Sequence, residues 1–371
     1  MQKEAKRSLT DNYIIGGIVR YFRMHYGPML GLLAICLLVQ AFSPNFFTVL
    51  NFVNVLRQIS IYGILSLAIS MIILIGGIDL SLGSTVAAAG CLVCVLYGQA
   101  GIPLWLSIII TLAAGAIIGL FNGIMVAHTT LPYFVITLAT QMTIRGLAYL
   151  FTRGYPVIVS DESFVNIGSG ALKFYDSAGN ALEFEIPYSV MIMAVLFFIY
   201  WIVLSRTRFG RHVYATGGNR EAAIHSGVNV KKIQKTVYVF GSMLASVSGI
   251  ILASRMYGGQ PTVGVGYEGE AIAASVLGGI RFGGGYGTLG GTVIGSFILG
   301  VINNGLNMVR LEYYYQYIVK GFVILGAVYF DSIKGTFTFN FKKPKAVLAD
   351  TEEAKTDKPA KTGKDRVGSP K

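Results

Sequence analysis

Charge is scarce in this chain. Asp, Glu, Lys and Arg together make up 13% of its 371 residues, while hydrophobic residues make up 53%. With a mean hydropathy of +0.61, there is too much apolar surface to hide in a water-soluble core, and an integral membrane protein is expected. Acids are the scarcest of the charged residues, 18 against 30 Lys and Arg, for a net charge of +12. An excess spread over one face would point to nucleic acid. Here it gathers in the first 23 residues, in the stretch 206–235 and after Phe341, which is how basic residues flank membrane spans, so nucleic-acid binding is excluded. Cysteine is nearly absent, and Cys36, Cys91 and Cys94 all fall within apolar runs. That excludes a disulfide framework, and Cys91-Leu-Val-Cys94 reads as helix packing rather than redox chemistry. The four histidines (His25, His128, His212, His225) are scattered near expected span ends or loops and form no metal-ligand cluster. The chain has no Gly-x-x-x-x-Gly-Lys-Ser/Thr, no nucleophile elbow and no His-Glu-x-x-His, so it has no visible ATP site and no catalytic residue can be nominated.

What is present is a series of apolar runs, near 28–43, 58–76, 83–99, 103–127, 132–151, 187–205, 236–255, 270–281, 288–308 and 313–331. The expected fold is an all-α polytopic membrane protein of about ten transmembrane helices, two of them short or broken. Val39-Gln40-Ala41 imitates a signal-peptide cleavage site, yet the polar segment before the first run is long for such a peptide, and an uncleaved first span is expected. The segment 152–186 carries five acids (Asp161, Glu162, Asp176, Glu183, Glu185) against Arg153 and Lys173, and is expected outside the cell. The loop 206–235 carries seven Arg and Lys (Arg206, Arg208, Arg211, Arg220, Lys231, Lys232, Lys235) against Glu221 alone, and is expected in the cytoplasm together with both termini. Residues 1–27 then form a cytoplasmic segment, 28–333 the transmembrane domain, and 334–371, rich in Lys, Pro, Thr and acids, a disordered cytoplasmic tail.

Inside the basic loop, Gly217-Gly218-Asn219 leads into Arg-Glu-Ala-Ala-Ile-His-Ser, and Gly227 follows. Asn219 can cap the first free amides, Glu221 suits the positive helix start, and Gly227 can take the left-handed stop conformation. The pattern predicts a helix of about two turns, too short to persist without a surface to pack on. The two halves of the chain also resemble each other. Gly115, Gly119 and Gly123 sit four apart in one span and Gly287, Gly291 and Gly295 in another, accompanied by Asn122 and by Asn303 and Asn304. Small residues at that spacing let helix backbones approach closely in lipid. Ahead of each comes a broken stretch, 76–83 and 258–270, leading into the short apolar helices Ser84–Gln99 and Ala271–Ile280. The offset between the halves is an odd number of spans, so they run in opposite directions, and inverted repeats with interrupted helices place a translocation path at their interface.

Ionisable groups at membrane depth are costly unless paired or hydrated. Asp79 stands just before Ser81 and Gly83, and two readings are open: its carboxylate caps the helix beginning near Leu82, or it lines the path. The same two readings apply to Glu268 and Glu270, ahead of the second short helix. Lys320, with Gln316 one turn before it, needs a partner or water, as pore lining or as a buried pair.

Four stretches, GGIDLSLGS at 76–84, TRFGRHVYATGGNREAAIHSGVNV at 207–230, YEGEAIAASVLGG at 267–279 and YYYQYIVKGFVILGAVYFDSIK at 313–334, resemble the permease subunits of bacterial ABC importers for simple sugars, with ribose and galactose/methylgalactoside permeases as the nearest likeness. The resemblance spans roughly residues 28–334. It implies a membrane subunit that pairs with a second permease, usually a copy of itself, and receives a monosaccharide from an extracytoplasmic sugar-binding protein. The cycle would be driven by a separate ABC ATPase using ATP-Mg. Under this resemblance Gly218, Asn219, Arg220, Glu221, Ala222, Ala223, Ser226 and Gly227 form the coupling helix that the ATPase grips. The segments around Asp79 and Ser81 and around Glu268 and Glu270 become paired inner elements of the path. From their positions in the spans, Asn122, Asn303, Asn304, Gln316 and Lys320 are the candidate polar lining. The chain carries Gly269 and Glu270 where the family usually reads Tyr-Glu-Leu-Asp-Ala, and has a longer acidic segment with the turn Tyr175–Asn180. Nucleoside or sugar-derived signal permeases share these features, and a gradient-driven secondary transporter would share the inverted repeat but need no docking helix.

Overall fold

A computed structural model describes residues 26–175 and 181–334. The basic residues ahead of position 26, His25, the 176–180 part of the acidic segment's turn and the tail after 334 lie outside the described residues. Every apolar run coincides with a helix. The order is α1 (Tyr26–Phe42), α2 (Val49–Leu74), α3 (Leu82–Cys94), α4 (Leu104–His128), α5 (Tyr133–Thr152), α6 (Glu162–Ser169), α7 (Tyr188–Arg206), α8 (Arg208–Gly218), α9 (Arg220–His225), α10 (Val230–Arg255), α11 (Tyr267–Leu277), α12 (Leu289–Met308) and α13 (Tyr313–Lys334). A π-turn, Val95–Gln99, extends α3. Among the described residues, seven of these segments are long and apolar enough to cross a membrane: α2, α3 with its π-turn, α4, α5, α7, α10 and α12. The other three runs fall on α1, α11 and α13, outside that set. The protein is thus a helical, polytopic membrane protein.

Two inner helices organise the bundle. About three quarters of α2 (78%) and of α10 (72%) is buried inside the protein, against 22% of α4 and of α7, so the latter present their apolar sides outward. The packing has a two-fold pattern: α2 lies on α12 and α11, α10 lies on α4 and α3, and α2 and α10 lie on each other. Likewise α3 packs on α4 and α5, and α11 on α12 and α13. The Gly115, Gly119 and Gly123 stripe seats α4 against α10. A Cβ added at Gly119 would lie 2.7 Å from Val239 Cα, and one at Gly123 2.7 Å from Lys235 Cα. Close backbone approach of this kind is what small residues provide where lipid supplies no hydrophobic drive between helices. The second triplet is different. Gly287, with φ 137°, precedes α12 rather than belonging to it, and Gly295 faces α11, while Gly300 meets Ile59 of α2.

Several boundaries differ from the apolar runs, two of them because polar caps lengthen the helices. Thr48 accepts from Asn51 N (3.4 Å) and starts α2 nine residues before its apolar run. Asn229 accepts from Lys232 N (3.0 Å) and starts α10 at Val230. Helix α11 begins at Tyr267 rather than Ala271 and ends at Leu277, before the left-handed Gly279. Glu268 and Glu270 therefore lie within its first turn, not ahead of it.

The two ends of the bundle are built differently. At one end the acidic segment forms β1 (Val157–Ile158), α6, β2 (Ala171–Tyr175) and β3 (Ala181–Pro187). β1 pairs antiparallel with β4 (Gly258–Gly259), and β2 with β3, so two short ribbons interrupt the all-α plan. Asp161 caps α6, accepting from Ser163 N at 3.0 Å, and Ser254 Oγ of α10 donates to Phe164 O at 2.6 Å. Arg57 of α2 pairs with Glu185 of β3. The other end carries α8 and α9. Asn219 accepts from Ala222 N at 2.9 Å, and Gly227 takes φ 80°. α9 has six residues, shorter than two turns, because the basic stretch before Asn219 forms a helix of its own, α8, capped by Thr207.

Candidate functional site

The breaks before α3 and α11 gather buried polar side chains into two networks. In the first, α2 ends at the left-handed Gly76 and the chain turns inward. Asp79 is fully buried. Its Oδ1 accepts from Ser81 N (2.8 Å) and Ser81 Oγ (2.6 Å). Asn122 of α4 donates to Ser81 Oγ (2.9 Å), and Thr140 of α5 donates to Asn122 Oδ1 (2.7 Å). Ser81 is the residue before α3, so the carboxylate holds the amide at the threshold of the helix rather than one inside it. Tyr238 of α10 donates to Ile78 O (3.0 Å) and braces the same break.

The second network repeats this layout around α11. Glu270 Oε1 accepts from Lys320 Nζ of α13 (2.8 Å), and its Oε2 accepts from Asn303 Nδ2 of α12 (3.0 Å). An acid at the start of a short helix is thus joined, as before, to an asparagine on the following glycine-bearing helix and to a polar group on the next. The pairing with Glu270 offsets the cost of a lone Lys320 ammonium in an apolar run. Glu268, two residues earlier, points to the other side of α11, since side chains advance about 100° per residue around a helix. Gln141 of α5 donates to Glu268 Oε1 at 3.3 Å. Arg145, one turn further along α5, donates to Pro261 O (2.7 Å) and to Val263 O. Asn304 is satisfied elsewhere, in a reciprocal amide pair with Asn51 (3.1 and 2.9 Å).

Beside the second network opens a cavity of ≈ 190 Å³ between α2, α10, α11, α12 and α13, lined by Asn303, Gln316 and Lys320 among the sequence candidates. Gln316 donates there to Asn307 Oδ1 (3.0 Å) and Leu311 O (2.9 Å). Asp79, Ser81 and Asn122 belong to the first network, and Asn304 to its amide pair. Gln58, Tyr62, Arg255 and Tyr267 also line the cavity and were missed by sequence reasoning. Gln58 and Arg255 stand at the ends of apolar runs, where polar residues read as ordinary span boundaries.

The coupling-helix candidates lie at the opposite end, about 20 Å away along α2. Ala223 of α9 is buried, whereas Arg220, Glu221, Ala222 and Ile224 are exposed. The glycine-rich stretch 278–287 reaches this end. Gly285 N donates to Leu74 O (2.9 Å), Tyr214 of α8 donates to Gly287 O (3.0 Å), and a Cβ at Gly284 would lie 3.2 Å from Gly217 Cα. The stretch, which is the loop between α11 and α12, therefore joins the α8–α9 corner to the end of α2.

Buried acids at broken helices, small-residue helix contacts and a polar cavity within an apolar bundle define a membrane permease. Residues 51–328 match the family described as branched-chain amino acid transport system / permease component, and the chain belongs to that family. It is 39% identical over 319 residues to the ribose import permease protein of Escherichia coli (strain K12), covering 85% of this chain and 97% of that one. It is 34% identical over 309 residues to the L-arabinose transport system permease protein of the same strain, covering 83% and 90%. It is 32% identical to the xylose transport system permease protein of Haemophilus influenzae (strain ATCC 51907 / DSM 11121 / KW20 / Rd), covering 81% and 95%. No solved structure matched.

Proposed function

We propose that this chain is the membrane-spanning subunit of an ATP-driven importer, passing a monosaccharide from an extracytoplasmic binding protein to the cytoplasm by alternating access. The observation that carries the reading is the near full-length similarity to the ribose permease, 39% identity over 97% of its length. The family description names branched-chain amino acids, but the cavity argues for a sugar. It is lined by amides, tyrosines and cations rather than by an apolar slot for a branched side chain. No carboxylate is among its lining residues, and the neighbouring Glu270 is already paired with Lys320, which leaves none for a ligand ammonium.

In this reading about ten spans form an inverted repeat, a proposal supported by the two-fold packing of α2 and α10 and by the parallel layout of the Asp79 and Glu270 networks. The basic loop and both termini face the cytoplasm, and the 152–186 segment faces outward, in keeping with the charge distribution. The exposed face of α9, with Arg220, Glu221 and Ala222, docks a separate ABC ATPase, which binds and hydrolyses ATP-Mg. Its motion reaches the bundle through α8 and the 278–287 stretch. A second permease subunit, a copy of this chain, completes the membrane unit.

The test is solute-stimulated ATP hydrolysis in lipid with the candidate ATPase and binding protein, comparing wild type with Glu221→Arg. Stimulation that the substitution uncouples is the expected result. If no ATPase associates and uptake proceeds on an ion gradient, the chain is a secondary transporter instead.

A further inference from the structure

The cavity beside α11 holds hydrogen-bonding groups that the fold itself leaves unused. Gln58 Oε1 is buried and has no partner among the described residues. The ion pairs among the described residues are Arg57–Glu185 and Lys320–Glu270, so the Arg255 guanidinium, on the cavity wall, has no carboxylate. Lys320 uses one of its three N–H groups on Glu270. Opposite stand Tyr62 and Tyr267, with ring centroids 5.0 Å apart and planes inclined by 54°. Buried polar groups without partners are costly, and native proteins retain few of them without a use.

The lining thus offers both kinds of group, donors in Arg255 and Lys320 and an acceptor in Gln58 Oε1, while the Tyr62 hydroxyl is engaged with Tyr267 and Glu270. A carboxylate ligand would need donors only, and an amine acceptors only. A ring of hydroxyls, each of which donates and accepts, uses both at once, and its C–H face suits the aromatic rings.

We propose that this cavity is a solute-binding station for a neutral, hydroxyl-rich solute, with Gln58 and Arg255 as the contacts that determine specificity. The assignment rests on the monosaccharide-permease reading above. Arg255 donates to adjacent hydroxyl oxygens, Gln58 Oε1 accepts a hydroxyl proton, and Tyr62 and Tyr267 carry the ring. The station lies at the end of the bundle that bears the 152–186 segment, so solute reaches it first from that side. It is an entry station, and the buried Asp79 network at the α3 break lies beyond it.

The test uses the full transporter in lipid vesicles, with its ATPase and binding protein. Asn307 borders the cavity and is exposed, so Asn307→Cys in a Cys36→Ser background gives a reporter thiol, because Cys91 and Cys94 are buried. Monosaccharide is expected to slow modification of that thiol by a small water-soluble thiosulfonate about fivefold or more. Adding Gln58→Leu should abolish the protection, and Gln58→Leu or Arg255→Gln should each lower maximal uptake about tenfold. Two variants are used because Arg255→Gln risks misfolding, and recovery of the assembled complex from the membrane reports on that. If the transporter moves monosaccharide while the thiol reporter at position 307 reacts equally with and without it, the cavity assignment is overturned and the transport reading stands. If wild type moves no monosaccharide, the transport reading fails and takes the cavity assignment with it.

Discussion

Replacing Lys320 by Met removes one half of the Glu270 pair and keeps the apolar length of the side chain. Lys320 is 22% and Glu270 10% exposed at the side chain, so little water is at hand to replace the lost ammonium. Breaking a buried pair from one side costs about 3–5 kcal/mol. Asn303 continues to donate to Glu270 Oε2, and the Lys320 end of the pair is partly hydrated, so about 2–3 kcal/mol is expected. Since a tenfold change is about 1.4 kcal/mol, that is a factor of roughly 30–150 in the folded-to-unfolded ratio. The assay is thermal unfolding of purified protein in lipid nanodiscs, for Lys320→Met, Glu270→Gln and the double variant. The double variant should recover about 1–2 kcal/mol relative to the sum of the singles, because neither charge is then left without its partner. Strictly additive effects would refute this account, since they would mean that α11 and α13 are not joined through this contact.

Two further outcomes follow from the ends of the bundle. Gly285 takes φ 69° and its amide bonds Leu74 O, so Gly285→Ala is strained at a position that favours glycine, by about 1–3 kcal/mol. Uptake per ATP hydrolysed should fall while the ATPase still co-purifies, and unchanged coupling would exclude the 278–287 stretch from the transmission route. Asp161 is held below the usual carboxylate range, chiefly by the Tyr97 hydroxyl and also by the Phe164 and Ser163 amides. A depressed folded-state value means that its stabilisation is present above the unfolded value of about 3.9 and lost as pH falls through the lower folded one. Hydrogen-exchange protection of the first α6 amides should therefore hold from neutral pH down to about pH 4 and drop below it, and Asp161→Asn should erase that step. A loss of protection between about pH 6 and 7, where His rather than a carboxylate titrates, would assign the cap to another group.

Much of the bundle was legible because lipid makes a simple demand: each crossing segment must be apolar and internally hydrogen-bonded. The apolar runs therefore marked the helices, and the Asn219 and Gly227 signals marked α9 with its cap and its stop. The differences share one cause. Helix α8 is amphipathic and basic, so it read as loop, while α2 and α10 extend past their apolar runs on polar caps and α11 on a first turn bearing Glu268 and Glu270, none of which hydropathy registers. Gly287 was grouped with Gly291 and Gly295 by spacing alone, although its φ of 137° keeps it outside the helix.

Partnerships between distant residues were beyond reach of the chain read in order. Asp79, Glu270 and Lys320 stood out singly, since an ionisable group in an apolar run is conspicuous. Nothing local says that Glu270 faces Lys320 and Asn303 while Glu268 faces Gln141, or that Asn304 is occupied by Asn51, 253 residues away. Gln58 and Arg255 lie far apart in the chain, each unremarkable at the edge of a span, and come together on one cavity wall only where α2 and α10 pack against each other.

The sequence by itself determined that the protein lives in a membrane, where its apolar helices run and which loop carries the short capped helix, because burial in lipid and capping are read over a few consecutive residues. Only the tertiary structure decided which polar groups satisfy one another and which are left over to meet a solute. Hydrogen bonds are short-ranged and directional, so their pairing depends on how helices distant in sequence are brought side by side.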